Sequence, residues 1–505
     1  MKKLFLLSLV LMFIAVVAFA SNPCTVDSTQ VPDGLTMFAT VQSAIASWCA
    51  GGTNAAQTPP FIINVVPVAA TYNERLTLDD IETGQGNIIG DIIIQSSVPG
   101  TYAYIALQQG LATVATTSGC RVFQKENDVT FKDILFMPSI VVPIMGAAGY
   151  WFWIDENPGA SLMDLVTFDH CLFTQINAGG IPLITTRTAA YTAGIPYVPP
   201  LLPPVPTARM ISFYPDPTEL KSFQLNDCTF YGSQGYTVYC ALTSNTDTAM
   251  VNNCCFAWTC SGYQVRFAGN AAVTVGAFAT VTGTDQTAGP DNCTVFIQQW
   301  SGDNHNLYLS GGNNFCNLTL EKSILAVVGP DLLGAGTDTR NFAGSGTWNA
   351  NVSDCILYSE SSGFGSVLGT NIVPVTYNRV TFHKVTGTNI YGVGGTASQT
   401  CRDCIFSGAG CTVWGNSAPT GGIDVNYCAY AEGSGPDIIL GRGTIQTDGL
   451  NITSADPIYL GKDWKLANFM DVDSAWYGGK GTAASNLAGG ADYVGGTPIG
   501  DWTIY

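Results

Sequence analysis

The sequence predicts an all-β fold, a single-stranded right-handed parallel β-helix with a short amino-terminal capping helix and long outward loops. An eight-residue pattern recurs ten times along the chain, and late copies of it are 24 or 25 residues apart. Apolar residues alternate with period two on each side of the pattern, which indicates strands with one buried face. A period of this size is typical of one coil in a stack of repeats.

Each copy of the pattern contains a corner between two strands. It reads apolar, any, apolar, two mostly polar residues, a small inward residue, any, and a large apolar residue, as in Phe223–Phe230 and Val166–Phe173. The polar pair breaks the alternation, so it has to turn the chain. Asn tolerates left-handed backbone better than other non-glycine residues. We therefore expect the left-handed corner residues at the first polar position, where asparagines recur: Asn226, Asn252, Asn378 and Asn426.

The small inward position is usually cysteine, and Ile134, Ser323 and Val380 fill it in other copies. Exchange with these residues indicates a place in the core. Stacked neighbours have parallel Cβ directions, which suit a disulfide poorly. We predict a core ladder of buried free thiols, although exported proteins usually oxidise their cysteines. The ladder comprises Cys171, Cys228, Cys254, Cys293, Cys355, Cys404 and Cys428.

The first twenty residues have the composition of a secretory signal peptide. Lys2 and Lys3 precede an apolar run, which ends at Ala18-Phe-Ala20. We expect residues 1–20 to be removed and the protein to be secreted, either extracellular or on the cell surface. No later apolar run reaches the roughly 18 residues that span a bilayer, so no integral membrane segment is expected. The net charge of −18 argues against nucleic acid as a partner.

The rest of the chain divides into a cap, a long solenoid and a closing segment. We place the amino-terminal cap and first coils in 21–100, the parallel β-helix in 101–450 and the carboxyl-terminal cap in 451–505. Residues 38–45 predict a short helix, which would cover the open edge of the first coil. A solenoid of this length can form one unit, because it grows by adding coils.

Two insertions, at about 137–160 and 181–220, are predicted to loop outward from the coils. The first is rich in aromatic residues and the second in proline. Apolar loops that have no core of their own usually cover another part of the protein or bind a partner. Two interpretations stay open: the loops fold back over the coils, or they contact a partner. The candidate contact residues are Trp151, Phe152, Trp153, Tyr197, Pro199 and Pro200.

Both ends of the chain resemble a known superfamily. The helix at 38–45, followed by Ala70-Thr-Tyr-Asn-Glu74, is similar to the first segment of pectin-lyase-like β-helix proteins, particularly pectinesterases. The closing segment, which opens with Ala455-Asp-Pro-Ile-Tyr459, resembles that of many secreted β-helix proteins. The resemblance implies the fold over nearly the whole mature chain. It does not imply an activity, because one fold carries many functions.

The catalytic motifs of this superfamily are missing or incomplete in the sequence. The pectinesterase and polygalacturonase motifs are absent, and Leu440-Gly-Arg442 matches only three residues of one of them. Phe168-Asp-His-Cys171 resembles a pectate lyase stretch whose Asp helps to hold calcium, but matching acidic motifs do not follow it. Asp169 and His170 also occupy corner positions. We assign no catalytic residue and no metal ligand, and calcium is the one cofactor left open.

We therefore expect a secreted, non-catalytic structural or adhesive protein that associates with itself or with neighbouring surface proteins. Only 11% of its residues are charged, well below the roughly 25–35% of a freely soluble surface. Two alternatives stay open. Acidic residues and arginines from adjacent coils meeting in a groove would favour a polysaccharide lyase, esterase or hydrolase. A row of exposed Trp and Tyr along one face would favour a glycan-binding protein.

Overall fold

The computed structural model covers most of the first three quarters of the chain and isolated strands after that. It describes residues 23–67, 71–78, 88–108, 117–123, 127–141, 149–155, 165–192, 209–214, 222–233, 236–242, 247–259, 263–269, 272–276, 293–299, 305–310, 316–328, 340–344, 348–359, 368–370, 375–384, 399–402, 405–407, 423–426, 429–430, 445–446, 452–453, 486–487 and 491–492. The signal peptide predicted at 1–20 and most of the closing segment at 451–505 lie outside these residues.

The described strands form three long parallel sheets of 15, 13 and 9 strands. The first sheet contains, in pairing order, β2 (Met37–Phe38), β1 (Cys24–Val26), β3 (Phe61–Val65), β6 (Ile92–Ser96), β9 (Val129–Lys132), β12 (Leu165–Asp169), β15 (Ser222–Asn226), β18 (Thr248–Asn252), β21 (Ala272–Gly276), β24 (Cys316–Glu321), β27 (Trp348–Ser353), β30 (Val375–Asn378), β32 (Gln399–Arg402), β34 (Ile423–Asn426) and β36 (Ile445–Gln446).

The second sheet contains β4 (Tyr72–Glu74), β7 (Ala103–Leu107), β10 (Ile134–Pro138), β13 (Leu172–Thr174), β16 (Thr229–Tyr231), β19 (Cys255–Thr259), β22 (Thr294–Gln299), β25 (Ser323–Val328), β28 (Ile356–Ser359), β31 (Thr381–Lys384), β33 (Ile405–Ser407), β35 (Ala429–Tyr430) and β37 (Ile452–Thr453). The third contains β5 (Leu76–Leu78), β8 (Thr117–Phe123), β11 (Gly149–Asp155), β14 (Arg209–Tyr214), β17 (Val238–Leu242), β20 (Val265–Gly269), β23 (His305–Ser310), β26 (Arg340–Gly344) and β29 (Leu368–Thr370).

Each coil from β6 to β29 supplies one strand to each sheet, in the order first, second, third. The pairing within every sheet is parallel and joins successive coils, as between β15 and β18. The predicted single-stranded right-handed parallel β-helix is therefore confirmed. A separate antiparallel pair, β38 (Asn486–Leu487) and β39 (Ala491–Asp492), lies near the carboxyl end.

A short helix, α1 (Val41–Ser47), packs against the first strands, so the capping helix predicted from the sequence is present. The Thr40 side chain accepts a hydrogen bond from the Ser43 amide, as an N-cap residue does. The buried Glu74 carboxylate accepts from the amides of Val41 at 2.9 Å and Gln42 at 2.8 Å. Within the described residues, the helices are too short to cross a membrane.

The core is a set of columns in which like side chains stack from coil to coil. In the second sheet, the rings of Phe230 and Phe256 stack at 4.8 Å, and those of Phe256 and Phe296 at 4.9 Å. All three side chains are buried. Aromatic contacts of this kind add about 0.5–1.5 kcal/mol per pair to the burial of the rings. Each coil is therefore held mainly by its two neighbours.

At seven corners within the described residues, the left-handed residue is the second polar residue, not the first that the sequence predicts. Asn226, Asn252, Asn378 and Asn426 each end a strand of the first sheet, and Asn226 pairs with Asn252 across it. Because the strand continues through this position, the change of backbone handedness falls one residue later. Residues of several types adopt positive φ angles of 44° to 55° there: Asp133, His170, Asp227, Asn253, Lys322, Asp354 and Arg379.

The cysteine ladder is present, with one residue misplaced in the prediction. Cys171, Cys228, Cys254 and Cys355 are fully buried free thiols at the inward position. In the copy around 295, Thr294 takes this position instead of Cys293, because Cys255 pairs with Val295. Cys293 is buried in a second apolar cluster. The remaining ladder positions, Cys404 and Cys428, lie outside the described residues.

Neither predicted insertion is a single outward loop, because each contains the third strand of its coil. The first includes β11, and the second includes β14 together with a short helix, α2 (Arg187–Thr192). Trp151 and Phe152 are 1% and 0% exposed and belong to the main core, so their prediction as partner contacts is wrong. Trp153 is half-buried. The other candidates, Tyr197, Pro199 and Pro200, lie outside the described residues.

Candidate functional site

A column of large polar and aromatic residues runs along the outward face of the third sheet. Along β17 and β20 buried apolar residues alternate with half-buried ones, as in Val238, Tyr239 and Cys240. On β14 the residue at the outward position, Ser212, is itself fully buried. The inward residues fill the core, which directs the alternate ones away from it. Parallel pairing places the outward residues of five successive coils in register: Trp153, Ser212, Tyr239, Arg266 and Tyr308.

A second column lies beside the first, three residues earlier on each coil. Tyr150 pairs directly with Arg209, and the register of the following strands continues the column. Its five members are Tyr150, Arg209, Tyr236, Tyr263 and His305. We call the ten residues of both columns the aromatic strip.

The rings of the aromatic strip contact one another within and between the columns. Tyr150 and Trp153 meet edge to face at 4.5 Å, and Tyr236 and Tyr263 stack at 5.1 Å with 5° between their planes. Tyr263 also stacks on Tyr308 at 4.5 Å. Offset-stacked and edge-to-face contacts are the favoured arrangements of such rings. The strip is thus a pre-ordered surface, because its side chains hold one another in place.

Two arginines lie among these rings. The Arg209 guanidinium carbon is 4.6 Å from the ring centre of Tyr236 and 5.1 Å from that of Tyr239. That of Arg266 is 5.3 Å from Tyr239 and 5.5 Å from Tyr308. Cations at these distances are attracted to the ring faces. Both guanidinium groups are therefore held between tyrosines.

Hydrogen bonds fix the orientation of Arg266 further. Its Nε donates to the Ser310 hydroxyl at 3.0 Å, and its Nη1 donates to the Tyr236 hydroxyl at 3.4 Å. These two bonds use two of the five N–H groups that a guanidinium carries. Arg266 is half-buried, so its cation is fixed in direction and still reaches solvent.

The aromatic strip combines ring edges, hydroxyl groups and hydrogen-bond donors on a surface that water and ligands can reach. Trp153, Tyr236, Tyr239, Tyr263 and Tyr308 are all half-buried. Such rings offer an apolar body and a polar tip at the same time. This arrangement suits ligands that are themselves amphipathic rings carrying hydroxyl groups.

A second group of polar residues lies at the corner between the first and second sheets. Nδ1 of His170 is 2.6 Å from Oδ1 of Asp133, and its Nε2 is 3.2 Å from the Tyr102 hydroxyl. A carboxylate accepts hydrogen bonds, so Nδ1 is the protonated nitrogen of His170. We call Tyr102, Asp133, His170, Arg187 and Asp227 the corner cluster.

Arg187, at the start of α2, closes the corner cluster from outside. Its Nη1 donates to Oδ1 of Asp227 at 3.1 Å and to the Asn253 carbonyl at 2.6 Å. Burial raises the pKa of Asp227 to about 6, while Arg187 and His170 act in the opposite direction. Every member of the corner cluster is at most 9% exposed. Acidic groups from adjacent coils do meet an arginine here, but they lie under a covering segment instead of in an open groove.

Asp169, the residue that resembles a calcium ligand, ends β12 and forms an ion pair with Lys132 at 2.7 Å. Among the described residues, no group of three or more His, Cys, Asp or Glu side chains is arranged to hold a metal ion.

No protein-family model, no curated protein and no solved structure matches the chain.

Of the ten residues of the aromatic strip, only Trp153 is among the contact residues that the sequence predicts. A signal for the strip is nevertheless present in the sequence. On five coils, a tyrosine, arginine or histidine precedes the outward strand residue by three positions, as in Tyr236 and Tyr239 or His305 and Tyr308. The spacing between copies varies too much for the columns to be recognised without the strand register.

Proposed function

We propose that this protein is a secreted, non-catalytic β-helix that adheres to glycans through the aromatic strip. The observation that carries the proposal is the row of half-buried Trp and Tyr side chains along one face of the third sheet. Such a row favours glycan binding over the other functions that the sequence left open. The predicted signal peptide would bring the strip into contact with extracellular glycans.

The chemistry of the strip suits sugar rings. The C–H groups of a sugar pack against aromatic rings, and its hydroxyl groups pair with tyrosine hydroxyls and guanidinium N–H groups. Strands of successive coils are about 4.8 Å apart, so five coils span roughly 19 Å. That length accommodates several units of a linear chain. The ten residues of the strip include no carboxylate, so they fit binding better than bond cleavage.

A second candidate function, a carbohydrate-active enzyme, is favoured by one observation. His170 lies between the Asp133 carboxylate and the Tyr102 hydroxyl, an arrangement that could move a proton to or from a substrate. The cluster is buried, so this function would require α2 and its flanking segment to move aside. Hydrolysis or elimination products from polysaccharides, lost on His170→Gln substitution, would support it.

The proposed function is tested by glycan binding of purified mature protein on an array and by calorimetry. Tyr239→Ala and Tyr308→Ala should each weaken binding about tenfold, the equivalent of about 1.4 kcal/mol for a lost ring contact. Tyr104→Ala is the matched control, because Tyr104 is a half-buried tyrosine on the second sheet. Binding that is equally weakened by Tyr104→Ala, or that is absent from the unsubstituted protein, would rule the proposal out.

Self-association, the other part of the sequence-based expectation, needs a separate measurement. Light scattering over a dilution series should show assemblies larger than one chain if the protein acts as a polymer. A single-chain mass at all concentrations would leave adhesion to glycan as the whole function.

A further inference from the structure

We infer that the aromatic strip selects a linear polysaccharide that carries an anionic group on every second sugar unit. This inference rests on the proposed function and adds the class of ligand. The juxtaposition that carries it is an alternation along the solenoid axis of coils that offer only rings and coils that offer an arginine.

The alternation is set by the strand register. Strand β11 presents Tyr150 with Trp153, and β23 presents His305 with Tyr308. Strand β17 presents Tyr239, and Tyr236 lies two residues before that strand begins. The two strands between them present an arginine each, Arg209 on β14 and Arg266 on β20. The two arginines are thus two coils apart, about 9.6 Å along the axis.

Both cations flank the same pair of rings. The Arg209 guanidinium carbon is 4.6 Å from the ring centre of Tyr236, and that of Arg266 is 5.8 Å from it. Their distances to the ring of Tyr239 are 5.1 and 5.3 Å. A sugar that packs against the exposed edges of this tyrosine pair would therefore have a guanidinium on each side of it. The neighbouring units of the chain would meet those cations.

The spacing of the coils is close to the spacing of hexose units in an extended polysaccharide. One sugar per coil places every second sugar next to an arginine and the others next to rings alone. A guanidinium binds a carboxylate or a sulfate through two parallel N–H bonds, and its planar fork gives the contact directional specificity. A disaccharide repeat with one anionic unit matches this pattern.

The charge of the whole protein disfavours a more densely charged ligand. The chain has a formal net charge of −18, so a polymer with an anion on every unit is repelled as it approaches. The two arginines on the five coils can pair with an anion on every second sugar unit. In a polymer with an anion on every unit, they would leave about half of the anions unpaired. A neutral glycan would gain only the ring contacts.

The test compares four polysaccharides on the full mature protein by calorimetry and by retardation in affinity gels. Hyaluronan carries one carboxylate per disaccharide, and kappa-carrageenan carries one sulfate per disaccharide. Polygalacturonate carries a carboxylate on every unit, and xylan serves as the neutral chain. We expect hyaluronan, kappa-carrageenan or both to bind at least tenfold more tightly than the other two, and the stronger of them identifies the anion.

Substitutions connect this preference to the two arginines. Arg209→Met and Arg266→Met should each lower affinity for the preferred polyanion about tenfold and leave affinity for xylan unchanged. Arg266→Lys retains the charge without the fork and should lose a smaller part of the affinity. Lys322→Met is the matched control, since it removes one exposed positive charge from a different face and should change neither affinity.

The outcomes separate the inference from the proposed function. Equal or tighter binding of xylan or polygalacturonate, or unchanged affinity in both arginine variants, would overturn the inference while glycan binding stands. No binding of any glycan would overturn both. Thermal unfolding of each variant shows whether it is folded. If Arg266→Met does not fold, the affinity of Arg266→Lys for the preferred polyanion tests the role of Arg266 instead.

Discussion

Replacing Arg187 with methionine is expected to destabilise the coils around the corner cluster, and more so at pH 7.5 than at pH 5. Arg187 is 6% exposed and donates hydrogen bonds to Oδ1 of Asp227 at 3.1 Å, to the Asn253 carbonyl at 2.6 Å and to the Cys293 carbonyl at 3.2 Å. It connects α2 to three coils. Methionine has a similar length but no charge and no donor.

The expected loss of stability arises because the variant buries a charge without its partner. Removing one member of a buried ion pair typically costs about 3–5 kcal/mol, because the other charge stays in an apolar environment. Here the remaining charge is Asp227, which keeps the Asn253 side-chain amide at 3.2 Å. The charge of His170 also lowers the pKa of Asp227, and the charge of Asp169 raises it.

The pH dependence follows from the pKa of Asp227. Burial already raises this pKa from 3.8 to about 6, and Arg187 opposes the rise, so the variant should have a still higher value. The folded protein then binds a proton more readily than the unfolded chain does. The contribution of such a group to stability is present at low pH and is lost as the pH rises through the folded pKa. The penalty should therefore be smaller at pH 5 than at pH 7.5.

Local stability is the appropriate measurement, because a long solenoid does not unfold in a single step. Hydrogen exchange reports it at the amides of Asp227 and Asn253, which donate to the carbonyls of Asn252 and Gly276. The double substitution Arg187→Met with Asp227→Asn should cost less than Arg187→Met alone. Lys132→Met is the control and should cost at most about 1 kcal/mol, because its ion pair with Asp169 is partly exposed. A loss below about 1 kcal/mol for Arg187→Met, or equal losses at both pH values, would refute this reasoning.

Three further results are expected. Phe256→Ala should cost about 3–5 kcal/mol in local hydrogen exchange, because the ring is fully buried between two stacked phenylalanines, and an undiminished stability would show that the column is not a packed core. Lys322→Val should cost about 1–2 kcal/mol in the same measurement and Lys322→Asn nothing, because Lys322 has a φ of 44°; equal effects would contradict a left-handed corner. Cys228 and Cys254 should not react with maleimide in the folded protein, since burial raises the pKa of both thiols, and rapid labelling would exclude the buried ladder.

The sequence was sufficient for the coil and its corner because both depend on local patterns. It was insufficient where the pairing register of the strands determines which residues face the core. Thr294, not Cys293, is the inward residue of its coil, and a shift of one residue in a strand exchanges its two faces. The repeat indicates only the strands on either side of the corner. It therefore predicts a loop where the third strand of the coil lies, and an exposed position for Phe152, which is buried.

The aromatic strip could not be predicted for a related reason. Tyr239, Arg266 and Tyr308 are neighbours in space but lie 27 and 42 residues apart in the chain. Connections of unequal length separate them, so no fixed spacing in the sequence brings them together. Only the pairing of the third-sheet strands, read coil by coil, places the ten residues side by side.

The stacked phenylalanine column affects how local unfolding spreads along the solenoid. Each ring in it stacks on a ring of a neighbouring coil, so the effect of damage to one coil decreases with distance along the axis. Strand loss that begins at the carboxyl-terminal coils would have to pass through β27 and β24 before it reached β23, the last strand of the aromatic strip. Loss of the coils after β29 would thus leave the aromatic strip, and with it the proposed glycan binding, intact.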